Sequence, residues 1–266
     1  MNDRQPPPAT GVMLRCTSVR YPRSALGGLF MLTHLQTTVL LACAVPCAIA
    51  AEPGFYLITP PPGGGNGEVV ACTAAGEMAV GYHINSDSMP YYRGFVWSAP
   101  DGMVEPQPPG LHPYSVFTGV SSLGLVITGF HLTSVTQPDT RAFVWNVGSP
   151  VVTLPLLAGY ARAGSSIVVS GDGLVVTGHC QDNSIPRRFR AFRWTAVGGL
   201  QTLPYAGGGH NTNKPYAISR DGTTIVGESG SHGSGVFVGF VWTASTGTMS
   251  LAVGGPNRRQ GRGRER

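Results

Sequence analysis

The sequence predicts an all-β protein that repeats a four-stranded unit of about 48 residues four times, in a β-propeller-like array. Three observations support this fold class. All four tryptophans of the 266-residue chain recur at intervals of 48, 49 and 48 residues. A pair of glycines recurs in the same phase as the tryptophans. The composition is rich in Gly (38) and Pro (22) but only 12% charged, which argues against long exposed helices.

Each tryptophan ends a four-residue word in which Phe-x-Trp follows Gly or Ala. The words are GFVW at 94–97, AFVW at 142–145, AFRW at 191–194 and GFVW at 239–242. Alternate side chains of a strand point to the same face, so the Phe and Trp of each word share one face. We expect that face to be buried between neighbouring units, because one unit cannot cover both faces of its own sheet.

The glycine pairs mark a hairpin that precedes each Phe-x-Trp strand. They are Gly76 and Gly81, Gly124 and Gly129, Gly173 and Gly178, and Gly222 and Gly227. In the third and fourth units the first glycine follows Asp172 and Asp221, and Asp-Gly between β-branched runs predicts a type I′ turn. Ala75 and Leu123 take this place in the first two units. A glycine turn and a short apolar strand, such as residues 200–203, complete the unit.

An open β-solenoid and a two-sheet sandwich are the alternatives to a propeller-like array. A further strand-like segment, residues 55–58, precedes the first unit. This segment either closes the ring by pairing with the last blade or is the remnant of a lost blade.

The repeated words DGxxxVG and AFxWT, separated by a loop, resemble the HAF-type extracellular repeat of secreted bacterial proteins. The best matches are residues 219–227, 239–243 and 191–195, and the resemblance covers about 69–253. It implies export and a β-propeller-like array. The family is known by its repeat and supplies no catalytic residues to transfer.

The N-terminal region has the pattern of a secretory signal peptide. Residues 36–52 form a short apolar stretch that runs into an A-x-A cleavage site at 48–50. The run of about 13 apolar residues is too short to cross a bilayer core of about 30 Å, so no transmembrane span is expected. A lipobox ending at Cys43, which would then carry the lipid, is the alternative.

We therefore expect three parts: a removed leader at 1–50, the β-repeat domain at 51–256, and a basic, disordered tail at 257–266. The formal charge of +5 comes from the two ends, since residues 51–256 hold 9 basic and 11 acidic side chains. A nearly neutral body gives no support for a nucleic-acid role, so no nucleic-acid partner is expected. The expected location is extracellular, periplasmic or on the cell envelope, and the expected partner is an extracellular or cell-surface carbohydrate or protein.

The search for catalytic and metal-binding motifs assigns no catalytic, cofactor-binding or metal residue. One set of potential ligands recurs two residues after the second glycine of each unit: His83, His131, Cys180 and Ser229. A metal site there requires these residues to converge near a ring axis. We prefer ordinary hydrogen-bonded residues at strand ends, because no supporting carboxylate is implied. Cys72 is expected to be buried, like its counterparts in the other units.

The loops between the two hairpin strands and the Phe-x-Trp strand are the best candidates for recognition. They are residues 84–93, with Tyr91, Tyr92 and Arg93, and residues 181–190, with Arg187, Arg188 and Arg190 around Phe189. The expected function is a non-catalytic binding module. The alternative is a secreted β-propeller enzyme acting on polysaccharide, with its acid and base among Asp87, Asp139, Asp182 and Glu228.

Overall fold

The computed structural model describes residues 12–13, 57–59, 64–85, 91–133 and 139–251. These residues form β-strands, turns and loops, and contain no helix that could span a membrane. Each repeat unit folds into one antiparallel four-stranded unit, which we call blades 1 to 4 in chain order. The predicted all-β repeat array is therefore confirmed. The leader, apart from residues 12–13, and the tail lie outside the described residues.

Two short strands precede the blades, β1 (Val12–Met13) and β2 (Leu57–Ile58), and the blades follow. Blade 1 contains β3 (Gly64–Cys72), β4 (Met78–Asn85), β5 (Tyr91–Ser98) and β6 (Gly102–Val104). Blade 2 contains β7 (Ser115–Val120), β8 (Val126–Leu132), β9 (Thr140–Asn146) and β10 (Val152–Thr153).

Blades 3 and 4 join into one sheet through a parallel pairing of Phe189 with Thr212. In blade 3 the first strand is split into two short strands. Blade 3 contains β11 (Arg162–Ala163), β12 (Val168–Val169), β13 (Val176–Gln181), β14 (Phe189–Thr195) and β15 (Gly199–Thr202). Blade 4 contains β16 (Thr212–Ile218), β17 (Thr224–Ser231), β18 (Val236–Thr243) and β19 (Gly247–Ser250).

The Phe-x-Trp face of blades 2, 3 and 4 packs against the preceding blade. Phe143 and Trp145 of blade 2, for example, are buried in one cluster with Val80 of blade 1. The phenylalanines of the four words are almost completely buried, and each belongs to a different cluster of the hydrophobic core. They are Phe95, Phe143, Phe192 and Phe240. The predicted face is thus correct, although Trp194 and Trp242 are only partly buried.

The first blade lacks a preceding blade among the described residues, and residues 57–58 take part in covering it. Ile58 is buried against Phe95 and Trp97. Its strand β2 pairs with β1, and among the described residues it has no pairing with the last blade, so the ring closure that was one of the two alternatives for this segment is not seen there. The same missing neighbour accounts for Cys72, which is exposed rather than buried as predicted.

The hairpin turns have one geometry in all four blades, and it is not the predicted type I′ turn. In blade 3 the Gly173 N–H donates to the carbonyl of Ser170, and the Val175 N–H donates to the Ser170 hydroxyl. The loop between the two strands has four residues, 171–174, because Ser170 still pairs with Val175. Gly173 ends the turn in the left-handed conformation, with a φ of 78°. Asp172 instead accepts a hydrogen bond from the Leu174 N–H. Blades 1 and 2 have Ala75 and Leu123 at this place, so their turns form without such a contact.

A serine or threonine therefore serves as the recurring turn residue, which the sequence analysis missed. Its hydroxyl accepts from the N–H five residues later in every blade, at 3.0 to 3.1 Å. These residues are Thr73, Ser121, Ser170 and Ser219. Because each pre-orders the turn locally, the hairpin does not depend on the Asp-Gly pair.

Candidate functional site

The potential metal ligands have separate partners. His83 Nε2 lies 2.7 Å from Glu105 Oε1, and His131 Nε2 lies 3.1 Å from the Thr153 hydroxyl. Ser229 bonds to His210 at 3.0 Å. The first two contacts join the second strand of a blade to its fourth strand or to the segment that follows that strand, whereas Ser229–His210 joins the second strand of blade 4 to the segment between blades 3 and 4. In the part of the chain that the structure describes, no three His, Cys, Asp or Glu side chains are grouped as metal ligands.

The loop residues expected to bind a ligand divide into two groups. Tyr92 and Arg93 lie on strand β5 rather than in a loop, and Tyr92 packs edge-on against Tyr82 and Tyr114, with ring centres 5.2 and 5.5 Å away. Tyr91 is also on β5, and its side chain is outside the described part. Arg187 and Arg188 do lie in the loop after β13, and both are exposed.

Asp182 organises this loop from a buried position. It accepts hydrogen bonds from the backbone and side chain of Arg188 and from Ser184. Burial raises the pKa of Asp182, but these hydrogen bonds outweigh burial and hold the pKa well below its usual value. Asp182 is therefore a structural carboxylate.

The other proposed acids are also engaged or lie outside the described part. Asp139 is paired with Arg141 at 3.2 Å, and Glu228 lies 3.5 Å from Lys214. Asp87 is not among the described residues.

A cavity of about 380 Å³ lies close to the same loop end, among blades 2, 3 and 4. Several of its residues adjoin the loops between second and third strands, as the sequence analysis expected of a binding site. Its lining combines aromatic rings with hydroxyl, amide, imidazole and ammonium groups: Phe130, Thr140, Ser165, Ser166, His179, Gln181, Phe189, Lys214 and Tyr216. This size and mixture suit a small ligand.

His179, Gln181 and Phe189 reach the cavity because strand geometry places them on one face of blade 3. Gln181 lies directly opposite Phe189 in the sheet, and His179 is two residues before Gln181 on the same strand. The His179 and Phe189 rings meet edge-on, with centres 5.5 Å apart. A side chain at Gly164 would overlap the His179 ring, so this glycine leaves room for the imidazole.

His179 is buried, and its Nδ1 has no hydrogen-bond partner among the described residues. Burial lowers the pKa of His179 to about 4, with a smaller contribution from Lys214. The imidazole is therefore neutral at pH 7, and one ring nitrogen acts as a donor while the other acts as an acceptor.

Lys214 is the only lysine of the chain and supplies the positive charge of the cavity. Its Nζ lies 4.4 Å from the centre of the Phe189 ring and 3.5 Å from Glu228. Burial, together with a hydrogen bond to Glu228, raises the pKa of Tyr216 well above its usual value. The tyrosine therefore stays neutral, and one partly exposed ammonium group faces rings and hydroxyls.

Lowering the pH from 7 to 5 is expected to destabilise the protein through His131 and His179. Burial, which is the largest cause in both, lowers each pKa to about 4. The unfolded chain takes up these protons near pH 6.5, so stability is full above pH 6.5 and falls towards pH 4. The loss should be roughly 1 to 2 kcal/mol for each imidazole at pH 5, the lower figure allowing for solvent screening at His131.

Urea unfolding at the two pH values measures this loss, and the double variant His131→Gln, His179→Gln is the control, with a flatter pH dependence. NMR titration of the imidazole protons gives the pKa values directly. Two imidazoles that titrate near 6.5 would contradict the predicted burial effect.

The fold and the cavity together define the class: a repeat protein of β-propeller type with a ligand-sized cavity at one loop end. No protein-family model matches the chain, and no curated protein matches its sequence. The structure is similar to that of a putative TolB from Agrobacterium tumefaciens, with a TM-score of 0.50 and 11% identity over 76% of this chain and 70% of that one.

It is also similar to a prolyl endopeptidase, with a TM-score of 0.53 and 9% identity over 76% of this chain but only 31% of the endopeptidase. The β-propeller domain of the Trilobed protease from Pyrococcus furiosus matches with a TM-score of 0.48 and 13% identity, over 75% of this chain and 54% of that one. At such low sequence identities, the similarity to these structures shows a shared fold and nothing more.

Of the cavity residues, Phe189 is predicted from the sequence, whereas His179 and Lys214 are not. His179 directly follows Gly178, a place taken by Tyr82, Phe130 and Glu228 in the other blades. The four residues at this place all differ, so the repeat pattern gives no signal that singles out His179. The convergence of His179 with Lys214 depends on how blades 3 and 4 stack, which the repeat pattern does not contain.

Proposed function

We propose that the protein is a non-catalytic binding module of the cell exterior or envelope that holds a saccharide unit in the cavity among blades 2, 3 and 4. The cavity itself is the observation that carries this proposal. Its volume of about 380 Å³ is at the lower end for small-molecule sites, which favours one sugar ring over a long chain.

The chemistry of the lining favours a sugar. The rings of Phe130 and Phe189 offer apolar surface to the C–H faces of a pyranose. The hydroxyl of Ser165 and the amide of Gln181 offer donors and acceptors for sugar hydroxyls, and the Thr140 hydroxyl, which donates to the Ala163 carbonyl at 2.6 Å, offers an acceptor. Lys214 adds a charged donor and favours a saccharide that carries a carboxylate.

The proposed location rests on the sequence. The apolar run before the A-x-A site and the resemblance to the HAF-type extracellular repeat both favour export, with residues 1–50 removed. N-terminal sequencing of the protein recovered from outside the cytoplasm should begin near Ala51. Recovery of an intact leader from the cytoplasm would contradict the proposed location.

Replacing Phe189 with alanine is expected to weaken saccharide binding about tenfold or more, because it removes one aromatic wall of the cavity. Replacing Lys214 with methionine is expected to have an effect of the same size, because it removes the charged donor. Calorimetry against a panel of neutral and uronic-acid oligosaccharides measures the effect. The Lys214→Met loss should be confined to the uronic-acid members.

Phe237→Ala is the matched control for Phe189→Ala. Phe237 occupies the equivalent register position in blade 4 but does not line the cavity. Equal losses in the two phenylalanine variants would contradict the cavity as the binding site. New reducing ends in the same incubations, lost on changing Asp139 or Glu228, would instead favour the polysaccharide-cleaving enzyme.

A further inference from the structure

The side of blade 4 that faces away from blade 3 forms an apolar sheet face, which we call the outer face of blade 4. Its members are Val226, Gly239, Val241, Met249 and Leu251. Val226, Val241 and Met249 lie side by side across three strands. The Leu251 N–H donates to the carbonyl of Gly239 at 2.7 Å. Strand alternation directs these residues away from Phe240 and Trp242, which pack towards blade 3.

The same positions are buried in the other blades. Val226 is 37% exposed, whereas the residues one before the second glycine in blades 1 to 3, Val80, Thr128 and Thr177, are each 0% exposed. Leu251 is 56% exposed, whereas its counterparts Leu154 and Leu203 are 1% and 2% exposed. In those blades the next blade covers the face. Among the described strands, those in close contact with blade 4 belong to blade 3.

The outer face also retains the small residue that a blade junction needs. Gly94 in blade 1 leaves room for the ring of Phe117 of blade 2, which a side chain at that position would overlap. Ala142 and Ala191 stand at this position in blades 2 and 3, and both are buried. Gly239 is the blade 4 counterpart and is exposed, and a methyl group added there would meet the Leu251 side chain at 3.6 Å and the Gly227 carbonyl at 4.0 Å, both without overlap. The face is therefore shaped to receive another sheet face.

We propose that the outer face of blade 4 is the contact surface between two copies of this chain, related by a two-fold axis. At the opposite end of the array the Phe-x-Trp face of blade 1 is already covered, because Ile58 packs against Phe95 and Trp97. A head-to-tail contact would have to displace that cover. A two-fold contact joins the outer faces of both copies and closes at two.

The five face residues are uncharged. Glu228 lies opposite Gly239 in the sheet, and its charge is balanced within the same copy by Lys214, 3.5 Å away, so a contact between two copies brings no uncompensated like charges together. Burying the apolar stripe of both copies then drives association. The proposal does not depend on the saccharide site.

Sedimentation of the full chain tests the proposal. A dimer is expected at about 100 µM protein, with its dissociation constant raised about tenfold or more by Val226→Glu, since the variant would bury a charge. Val197→Glu is the matched control, because Val197 is 102% exposed in a turn of blade 3, and it should leave the dimer intact. Leu251→Glu is a second face variant, with the same expected effect if Val226→Glu does not fold.

The outcomes decide the proposal. A monomeric wild type overturns it, as does a dimer that both face variants leave unchanged. Oligomers that grow beyond two show a head-to-tail contact and also overturn it. Loss of the dimer in the Val197→Glu control would place the contact on another surface.

Discussion

Replacing Phe143 with alanine is expected to lower the free energy of unfolding by about 3 to 5 kcal/mol. The Phe143 side chain is 0% exposed and packs with Phe117 and Trp145 between blades 1 and 2. Its ring lies edge-on to that of Phe117, with centres 5.7 Å apart. Alanine would leave a cavity that rigid sheets on both sides cannot fill. Urea unfolding followed by tryptophan fluorescence measures the loss.

Two further substitutions calibrate this result. Val197→Ala removes a fully exposed side chain and should change stability by less than about 0.5 kcal/mol. Trp194→Ala should cost less than Phe143→Ala, because Trp194 is only partly buried. A Phe143→Ala loss below about 1 kcal/mol would show that the phenylalanine is not part of the junction core.

Replacing Gly129 with alanine is expected to cost about 3 kcal/mol or more, although it adds only one methyl group. A methyl group there would overlap the carbonyl oxygen of Val116 on the neighbouring strand and lie 3.0 Å from the Phe143 ring. The first strand bulges between Phe117 and Gly119, which brings its backbone over the glycine. Neither a backbone carbonyl nor a buried ring can move aside cheaply.

Gly148→Ala separates lack of room from backbone strain. Gly148 has a φ of 89° with no neighbouring atom within 4 Å of an added methyl group, so alanine there meets strain of about 1 to 2 kcal/mol only. Unfolding midpoints of the two variants should therefore differ clearly. Equal losses would mean that Gly129 is needed for its backbone conformation and not for the close approach.

The recurring second glycine and the Phe-x-Trp word explain each other in the structure. Gly129 lies under the ring of Phe143, and Gly227 lies under Phe240 in the same way. Both marks are visible in the sequence as periodic signals. Their physical connection could not be predicted, because it depends on the pairing register of the second and third strands and on the bulge of the first.

The candidate site was predictable only in its position. Loops between the second and third strands were expected to bind, and the cavity adjoins them. Tyr92, however, extends strand β5 and packs on Tyr82, since a loop proposed from polarity alone takes no account of continued strand pairing. His179 and Lys214 come from different blades, and the repeat pattern does not say which residues of two blades meet.

The sequence by itself determined the periodic part of this protein: four units, the strand that carries each Phe-x-Trp word, and the face that is buried. These features depend on residue types at fixed spacing, and alternation along a strand converts spacing into a face. The tertiary structure alone decided what lies at the ends and between the blades. Val80 is buried because another blade packs beside it, and its counterpart Val226 is exposed because no described blade does. The presence of that neighbouring blade depends on how the blades stack and not on the local sequence.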